Sequence, residues 1–477
     1  MDRTELSDTI IRELAELLVK ELTKAAGELV EADLDGIEQR LQALGRVIFA
    51  RVVEHTVVAI ERAECKQAPC CQRCHQPMRL VDEARPRSLQ GLVGDYRLLR
   101  AYFVCDGCHQ GCAPLDERLG LGSGSFSPGL VRVACRLGIE KSFGQAADAL
   151  GEALHIEVSE ESVRRITEGI GQVAEAEQKV AIVQAQKGDD PVPAEQVAVG
   201  SGVLVVEVDG AMVHLQEDWH EVKVGVVGPL GPDQQIDPDS GRAQLQLAQP
   251  SYCAGLEKAE DFWYRVYAEA CRRGLGSLSL LTIAVLGDGA DWIWRYARAF
   301  VAVGRVQVVE IVDIFHAWEH LWTVANAVFG VGSAQAREWV NPLKGQLIEQ
   351  GVGAVLEALS QLAAEDGEAA KEVSKAIAYF SEHASRMDYP GFIGLKLPIG
   401  SGAVEGACKV LIEEREKGAG MRWSSTGAQA VASLRALHRS GRWREFWRTH
   451  PQRRRPAASS RRPTPATAHS LPERQAA

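Results

Sequence analysis

The feature that most constrains the fold is a repeated alternation of short apolar runs with helical stretches in the second half of the chain. Three of the runs are VLVVEVDGAMV, LLTIAVLGD and VQVVEIVD, and they contain Asp209, Asp288 and Asp313 at or near their ends. Short β-branched runs separated by helices predict a sheet covered by helices. The chain is therefore expected to contain a mixed α/β domain with acidic side chains at its strand ends.

Asp209 and Asp288 are each followed by glycine, and Glu405 opens a helical pattern in LPIGSGAVEGACK. A single Asp-Gly pair is typical of a turn. A carboxylate at the end of a buried strand, however, is held in place while its oxygens stay open to solvent. Three such groups that converge could hold two divalent metal ions for phosphoryl transfer. Both interpretations stay open for each acid, and the combination of three favours a metal site.

Residues 1–64 have helical spacing and predict two or three helices. Residues 65–118 contain two CxxC pairs on either side of a stretch with hairpin alternation, SLQGLVGDYRLLRAYFVC. Four thiolates in this arrangement favour a zinc-ribbon-like domain with a structural Zn²⁺ ion. The expected ligands are Cys71, Cys74, Cys105 and Cys108. Alternative ligands are Cys70, Cys112, His75 and His109, and the competing interpretation is a set of reduced, packed cysteines.

Residues 126–185 predict a helical, helix-turn-helix-like region. One helix is expected over Ser142–Leu154, and Ser159 is a candidate N-cap for a second. That second helix would present Ser162, Arg164 and Arg165 to DNA, and the alternative is plain packing of the two helices.

Composition limits the classes of protein that remain. The 477 residues are enough for about three domains, and the net charge of −11 argues weakly against a general nucleic-acid binder. The segment 449–477 departs from that average, because it is rich in arginine and proline, and we expect it to be disordered and able to contact phosphates. No charge-free apolar run reaches the roughly 18 residues of a membrane span, and the acidic amphipathic start does not resemble a signal peptide. A cytoplasmic protein without a membrane partner is expected.

The acidic residues and the segments around them resemble the motifs of a known family. The order Asp209, Asp288, Glu405 resembles that of the DDE transposases, which have an RNase H-like fold. The segment Asp313-Ile-Phe-His316 resembles the D-x-x-H element of the Mutator, hAT and IS256-like branch, in which an all-α insertion precedes the glutamate. The segments GDGADWIW, DIFHAWEHL and PIGSGAVEGACKVLIEEREKGAGMRW resemble ISKra4-family insertion-sequence transposases. The resemblance covers roughly residues 65–450 and leaves out the basic tail.

This resemblance implies a multidomain α/β protein. An RNase H-like core, a mixed β-sheet flanked by helices, would occupy residues 200–330 and 396–448, with the all-α insertion at 331–395. Asp209, Asp288 and Glu405 would bind two Mg²⁺ or Mn²⁺ ions, with Asp209 bridging them. His316 would support catalysis together with Asp313, although a plain core hydrogen bond between these two side chains is an equal alternative.

The resemblance also implies DNA as the partner. Basic residues after Glu405 would contact phosphates, and Trp423 would either stack on an unpaired base or pack in the core; the basic residues are Lys409, Arg415, Lys417 and Arg422. The implied function is that of a homo-oligomeric, nucleoid-associated bacterial transposase. It would bind the terminal inverted repeats of its element, cut them, and join them to target DNA. The alternatives are a catalytically silent DNA-binding regulator, a metal-dependent nuclease without strand transfer, and a glycoside hydrolase.

Overall fold

The computed structural model describes residues 3–64, 68–187, 202–236, 243–275, 280–298, 300, 306–362 and 367–453. The chain forms two compact units. Unit 1 comprises Met1–Ala134, Ala147–Val158 and Arg444–Ala477, and unit 2 comprises Cys135–Ala146 and Ser159–Trp443.

Unit 1 begins with two long helices, α1 (Arg3–Glu31) and α2 (Leu34–Glu64). Asp33 lies in the turn between them, and its side chain accepts a hydrogen bond from Gly36 N at 2.9 Å. This bond satisfies one of the free N–H groups in the first turn of α2, which is why the second helix starts there.

A small antiparallel sheet follows, made of β1 (Arg79–Gly91), β2 (Gly94–Val104) and β3 (Gly111–Cys112). The hairpin that the sequence alternation predicts is confirmed by the pairing of β1 with β2. Helix α2 covers the free edge of β2: Glu54 accepts from Arg97 N and Glu61 from Ala101 N, both at 2.7 Å. These carboxylates satisfy strand N–H groups that would otherwise be open to pairing with another chain.

Three helices follow the small sheet: α3 (Pro114–Arg118), α4 (Pro128–Gly138) and α5 (Phe143–Leu154). Helix α6 (Glu160–Gln186) comes next and belongs to unit 2. Ser159 caps α6, because its hydroxyl accepts from Ser162 N at 3.2 Å, as the sequence predicts. The sequence after α6 is rich in Gly, Asp and Pro, which predicts a linker, and residues 188–201 of it lie outside the described residues.

The centre of unit 2 is a mixed sheet. Its strands are β4 (Val203–His214), β5 (Trp219–Ile236), β6 (Ala243–Leu247), β7 (Ser251–Gly255), β8 (Thr282–Gly287) and β9 (Gln307–Val312). Strand β5 runs antiparallel to β4, and both β6 and β7 pair with β5. Strands β8 and β9 lie on the other side of β4 and run parallel to it. The mixed α/β prediction is confirmed in this general form.

Two expectations about the strands need correction. Asp209 was expected at the end of a strand, but β4 continues to His214 because β5 pairs with it along its whole length. Asp209 instead lies just past the last residue of β4 that pairs with β8, Glu207. The stretch from Pro229 to about Pro250 is rich in Gln, Asp and Gly, a composition that predicts a loop, but it is partly strand, since β5 extends to Ile236 and pairs there with β6.

Helices cover the sheet and extend its core. They are α7 (Ala259–Arg272), α8 (Asp291–Ala297), α9 (Ile314–Phe329), α10 (Ala334–Gln350), α11 (Val352–Gln361), α12 (Glu368–Glu382) and α13 (Tyr389–Gly394). Residues of α10, α11 and α12 belong to the same hydrophobic cluster as the strands, including Leu347, Val355 and Phe380. The all-α segment therefore shares its core with the sheet.

The chain closes with α14 (Gly402–Ala407), a π-helical turn (Cys408–Glu413), α15 (Glu414–Glu416), α16 (Ser425–Arg439) and α17 (Trp443–Arg453). Among the described helices, none combines the length and the apolarity that a bilayer crossing requires. The basic segment after Arg453 lies outside the described residues.

Candidate functional site

The two CxxC pairs lie on matching tight turns of unit 1. His75 N donates to Cys71 O, and His109 N donates to Cys105 O, both at 2.8 Å. Both histidines adopt a left-handed backbone with φ of 57°. Each histidine is thus part of the turn that brings its two cysteines together.

The four cysteines of these turns form one cluster. The Sγ atoms of Cys71, Cys74, Cys105 and Cys108 all lie within 4.8 Å of one another. The Cys71–Cys108 and Cys74–Cys105 pairs are 3.4 and 3.3 Å apart. Zn–S bonds of about 2.3 Å place tetrahedral sulfurs roughly 3.8 Å apart, so the cluster could hold a structural metal such as zinc.

The surroundings favour the thiolate form at two of the four positions. Backbone N–H groups of Cys74 and Arg73 lower the pKa of Cys71 to about 6, and the N–H of Cys108 lowers the pKa of Cys105. Deprotonated sulfur is the form that binds a metal. Cys112, an alternative ligand in the sequence, instead lies with its Sγ 3.5 Å from Met78 Sδ.

The predicted acidic site of unit 2 is assembled from the sheet. Continuing the β4–β8 register, in which Glu207 is level with Leu286, sets Asp209 level with Asp288. Asp209 Oδ1 accepts from Gly210 N at 2.7 Å, and Asp288 Oδ1 accepts from Ala290 N at 2.8 Å. Each carboxylate therefore keeps one oxygen engaged with the backbone and stands at the edge where the parallel strands end.

Glu405 comes from α14, far along the chain, and is exposed. Its charge interacts with the sheet acids: partial burial and then Asp313 and Asp209 raise the pKa of Glu405. Burial and then the charge of Asp288 raise the pKa of Asp209. Crowded carboxylates of this kind are stabilised by a bound cation.

Among the described residues, only the four cysteines have potential metal-ligating atoms that all lie within 4.8 Å of one another. The carboxylates of Asp209, Asp288 and Glu405 are therefore spread more widely than that limit. Two metal ions about 3.5–4 Å apart need ligands over a larger span than one ion does. The donor set, all hard oxygen and partly open to solvent, suits Mg²⁺ or Mn²⁺.

Asp313 connects the sheet to the segment before Glu405. It is 1% exposed and caps α9, and its Oδ1 accepts from both Phe315 N at 3.1 Å and Ser401 N at 3.2 Å. Its Oδ2 accepts from Ser401 Oγ at 2.8 Å. Asp313 thus holds the N-cap residue of α14.

His316 lies one turn into α9 and is partly exposed. Its Nδ1 is 4.0 Å from Asp313 Oδ2 and 3.5 Å from Glu319 Oε2. A positive charge on His316 also lowers the pKa of both Asp209 and Glu405. His316 therefore faces the acidic cluster, although its contact with Asp313 is longer than a normal hydrogen bond.

Sequence reasoning missed Glu207, which is only 3% exposed. Its Oε2 accepts from Val404 N at 2.9 Å, and Ala403 N also donates to it. Burial, together with the nearby Asp313 and Glu405 charges, raises the pKa of Glu207 to about 8. An acidic residue inside an otherwise apolar run, two positions before Asp209 and so on the same face of β4, was the available signal.

Sequence reasoning also missed Tyr379 of α12. Its hydroxyl donates to the carbonyl oxygen of Asp288 at 3.0 Å, and its ring stacks on His320 at 3.7 Å. Gly289 has φ of 109°, and a side chain there would meet Tyr379 at 3.0 Å and His383 at 3.3 Å. Helix α12 therefore packs directly on the loop that carries Asp288.

The π-helical turn after Glu405 also contacts the site. It begins at Cys408, whose Sγ is 3.7 Å from Asp209 Oδ2. Arg435 of α16 donates to the carbonyl oxygens of Val410 and Leu411 in this turn. Such turns are rare and leave carbonyls imperfectly paired, so the arginine stabilises the irregular backbone beside Asp209.

The predicted DNA-contacting residues differ in accessibility. Lys409, Lys417, Arg422 and Arg165 are exposed. Arg164 is held by Glu161 and Glu168 through ion pairs of 2.7 and 2.8 Å. These two carboxylates offset its charge.

Arg415 was expected beside DNA, and Trp423 either on an unpaired base or in the core; the two side chains are 2% and 6% exposed. The Arg415 guanidinium lies over the rings of Phe143 and Trp423, 4.5 and 4.9 Å from their centroids, and donates to Gly138 O. Trp423 Nε1 donates to Glu416 O at 3.1 Å. Both side chains form part of the interior, so neither is available to a ligand in this conformation.

Among solved structures, the chain is similar to the Drosophila P element transposase strand transfer complex at 10% identity and a TM-score of 0.23. That likeness covers 70% of this chain and 83% of that chain, and a TM-score this low does not establish a common fold. No curated protein matches the chain. A family described as the uncharacterised protein family UPF0236 matches residues 26–450. Since the match spans most of its length, the chain belongs to UPF0236.

Proposed function

We propose that this protein is a DDE transposase of the ISKra4 type, which binds the terminal inverted repeats of its element and cuts them in a metal-dependent reaction. It would then join the ends to target DNA. The observation that carries the proposal is the acidic cluster of unit 2. Asp209, Asp288 and Glu405 come from three separate elements, and burial together with neighbouring carboxylates raises the pKa of Asp209 and that of Glu405.

The order of the strands supports an RNase H-like core. Strands β6 and β7 both pair with β5 and can be counted as one interrupted strand. Asp209 then lies on the first strand, Asp288 follows the fourth, and Asp313 follows the fifth. Glu405 lies on a late helix after an all-α insertion. This is the arrangement that the resemblance to DDE transposases requires.

The chemistry of the donor set supports the proposed metals. When bound, Mg²⁺ or Mn²⁺ would make the attacking water or 3′-hydroxyl more acidic and stabilise the leaving oxygen. Asp209, Asp288 and Glu405 would hold the ions through carboxylate oxygens. Asp313 and Ser401 would keep the glutamate helix against the sheet, and His316 would adjust the charge of the cluster.

The DNA surface is proposed for the exposed basic residues only. Lys409, Lys417 and Arg422 follow Glu405 and would contact phosphates near the cleaved bond. Arg165 on α6 would contribute to recognition of the ends, and we propose the same role for the four-cysteine domain.

The test is cleavage of DNA that carries the sequences flanking the gene, in Mg²⁺ or Mn²⁺. The intact protein is expected to cut at defined ends and to join them to a second duplex. Asp288→Asn should reduce cutting by about 100-fold or more, because even outer-shell changes at metal sites cost ~10–100-fold. Asp291→Asn is the matched control, since Asp291 is exposed and opens α8 just after the same loop. It should cut like the intact protein.

The alternatives predict different results. Cutting without joined products would indicate a nuclease that lacks strand transfer. Binding of the ends without cutting by the intact protein would favour a regulator. Equal cutting by Asp288→Asn and the intact protein would overturn the metal triad.

A further inference from the structure

We infer that Glu207 is a positioning residue, which sets the place of the Glu405 helix on the sheet through the backbone of Ala403 and Val404. The inference rests on the proposed metal function of Glu405 and adds a residue to which no role has been given.

Glu207 is well suited to act as a fixed point. It lies in β4, the strand with partners on both sides, and its own residue is paired with Val226 of β5 and Leu286 of β8. Its backbone is therefore held in two directions, and its side chain is 3% exposed. A carboxylate anchored in this way has little freedom to move away from the groups that it binds.

The groups bound by Glu207 are the N–H donors of the first turn of α14. Val404 N donates to Glu207 Oε2 at 2.9 Å, and Ala403 N donates to the same carboxylate. The Val404 N–H is shared, because it also donates to the carbonyl oxygen of Ser401 at 3.0 Å. A side-chain oxygen commonly supplies a further acceptor at the start of a helix. Here the acceptor comes from a strand 197 positions earlier in the chain. This bond fixes the start of the helix relative to the sheet.

A second buried carboxylate holds the same helix from the neighbouring side. Asp313, which follows β9, accepts from both the backbone N–H and the hydroxyl of Ser401, the N-cap residue of α14. Glu207 lies in β4 and Asp313 directly follows β9. Because the two carboxylates hold α14 from different strands, together they restrict both the translation and the tilt of the helix. Glu405 is the residue directly after Val404. A displacement of this turn would move its carboxylate relative to Asp209.

Glu207 could also act only through its negative charge, and the two roles separate by substitution. Glu207→Gln can carry no charge at any pH but keeps an oxygen at the right distance to accept from Val404 N. Glu207→Asp keeps the charge but is one methylene too short to reach. A positioning role therefore predicts that Gln preserves the site better than Asp, whereas a charge role predicts the reverse order. Glu207→Ala removes both.

The measurement is Mn²⁺ binding to the full-length protein, followed by the electron paramagnetic resonance signal of free Mn²⁺, after the four-cysteine cluster has been saturated with Zn²⁺. We expect Glu207→Ala and Glu207→Asp to weaken Mn²⁺ binding by ~10–100-fold, the usual effect of removing an outer-shell partner. Glu207→Gln should weaken Mn²⁺ binding less than either of these substitutions. Asp209→Asn reports whether the binding belongs to the proposed site.

A stability control is needed because Glu207 is buried. Glu269 is also buried, at 1% exposed, but its carboxylate pairs with Arg442. Glu269→Ala should lower the melting temperature and leave Mn²⁺ affinity unchanged. Thermal melting of every variant confirms that each is folded at the temperature of the titration.

The possible outcomes distinguish the positioning role of Glu207 from the proposed metal function of the site. If the intact protein binds Mn²⁺, Asp209→Asn does not, and the Glu207 variants bind normally, the positioning role is wrong while the metal site stands. Stronger binding by Asp than by Gln at position 207 would replace positioning with a charge effect. If the intact protein binds no Mn²⁺, or Asp209→Asn binds as well as it does, the proposed metal function fails and the role of Glu207 fails with it.

Discussion

Glu416 shows what a buried carboxylate does when it has no partner. It is 1% exposed, and neither of its oxygens has a hydrogen-bond partner among the residues that the structure describes. Burial raises its pKa from 4.5 to about 8, and the nearby charges of Arg415 and Arg435 offset only part of this effect. The folded protein therefore binds this proton more tightly than the unfolded chain does.

The consequence is a pH dependence of stability with a definite sign. The contribution of Glu416 is complete below pH 4.5 and is lost as the pH rises through about 8. Glu416→Gln should remove this loss and raise the free energy of unfolding at pH 8.5 by on the order of 3 kcal/mol. Thermal melting between pH 5 and pH 9 measures it. Glu414→Gln, at a side chain 49% exposed, is the control. A Glu416→Gln variant with the same pH profile as the intact protein would contradict the account.

The thiol residues allow a second prediction at this scale. Cys74→Ser removes one sulfur from the four-cysteine cluster and should reduce the bound zinc measured by elemental analysis to near zero. A cluster of three thiols cannot close a structural tetrahedral site. Cys112→Ser should keep the zinc, because the Cys112 sulfur lies against Met78. Loss of zinc from Cys112→Ser but not from Cys74→Ser would show that Cys112, and not Cys74, is the fourth zinc ligand.

At the scale of elements, the all-α segment between β9 and Glu405 makes direct contacts with the sheet and with the loop after β8. Helix α12 supplies Tyr379, which holds the carbonyl oxygen of Asp288. Arg386, just after this helix, pairs with Glu310 of β9 at 2.7 Å. The insertion is therefore tied both to the loop after β8 and to the neighbouring strand.

Tyr379→Phe tests this support. The change removes one hydrogen bond and should lower the free energy of unfolding by about 1 kcal/mol. If the bond orients Asp288, cleavage should fall further than the loss of stability explains, and a higher Mn²⁺ concentration should partly restore it. Tyr264→Phe, at a half-buried tyrosine of α7, is the matched control. Unchanged cleavage and Mn²⁺ dependence in Tyr379→Phe would limit the hydroxyl to a structural role.

Many of the helices and strands could be predicted from the sequence. Apolar runs indicate β4, β8 and β9, and Ser159 indicates the start of α6. The length of β4 could not be predicted, because it depends on pairing with β5 rather than on its own apolar residues. The contacts of Glu207 and Tyr379 were also missed. They join positions 197 and 91 residues apart, and periodicity within a segment carries no information about such pairs. The burial of Arg415 and Trp423 could not be predicted for the same reason. Their basic and aromatic character suggested contacts with DNA, whereas tertiary packing buries both side chains.

At the scale of the whole molecule, charge is unevenly distributed along the chain. The net charge is −11, yet residues 454–477 contain five arginines and one acid. This segment lies outside the described residues. Its arginines can bind phosphates without sequence preference, and such binding weakens as salt increases.

Deletion of residues 454–477 tests this role. DNA affinity at low salt should fall, and the slope of log K against log salt should become shallower by up to ~4, since each phosphate contact contributes about 0.9 to the slope. Preference for the element ends over unrelated DNA should stay, because phosphate contacts carry no sequence information. A variant of full length with the five arginines changed to glutamine separates charge from chain length and should behave like the deletion. If both variants keep the slope of the intact protein in fluorescence anisotropy titrations, the basic segment does not contact DNA. The phosphate contacts would then come from the folded units, beginning with Lys409, Lys417 and Arg422.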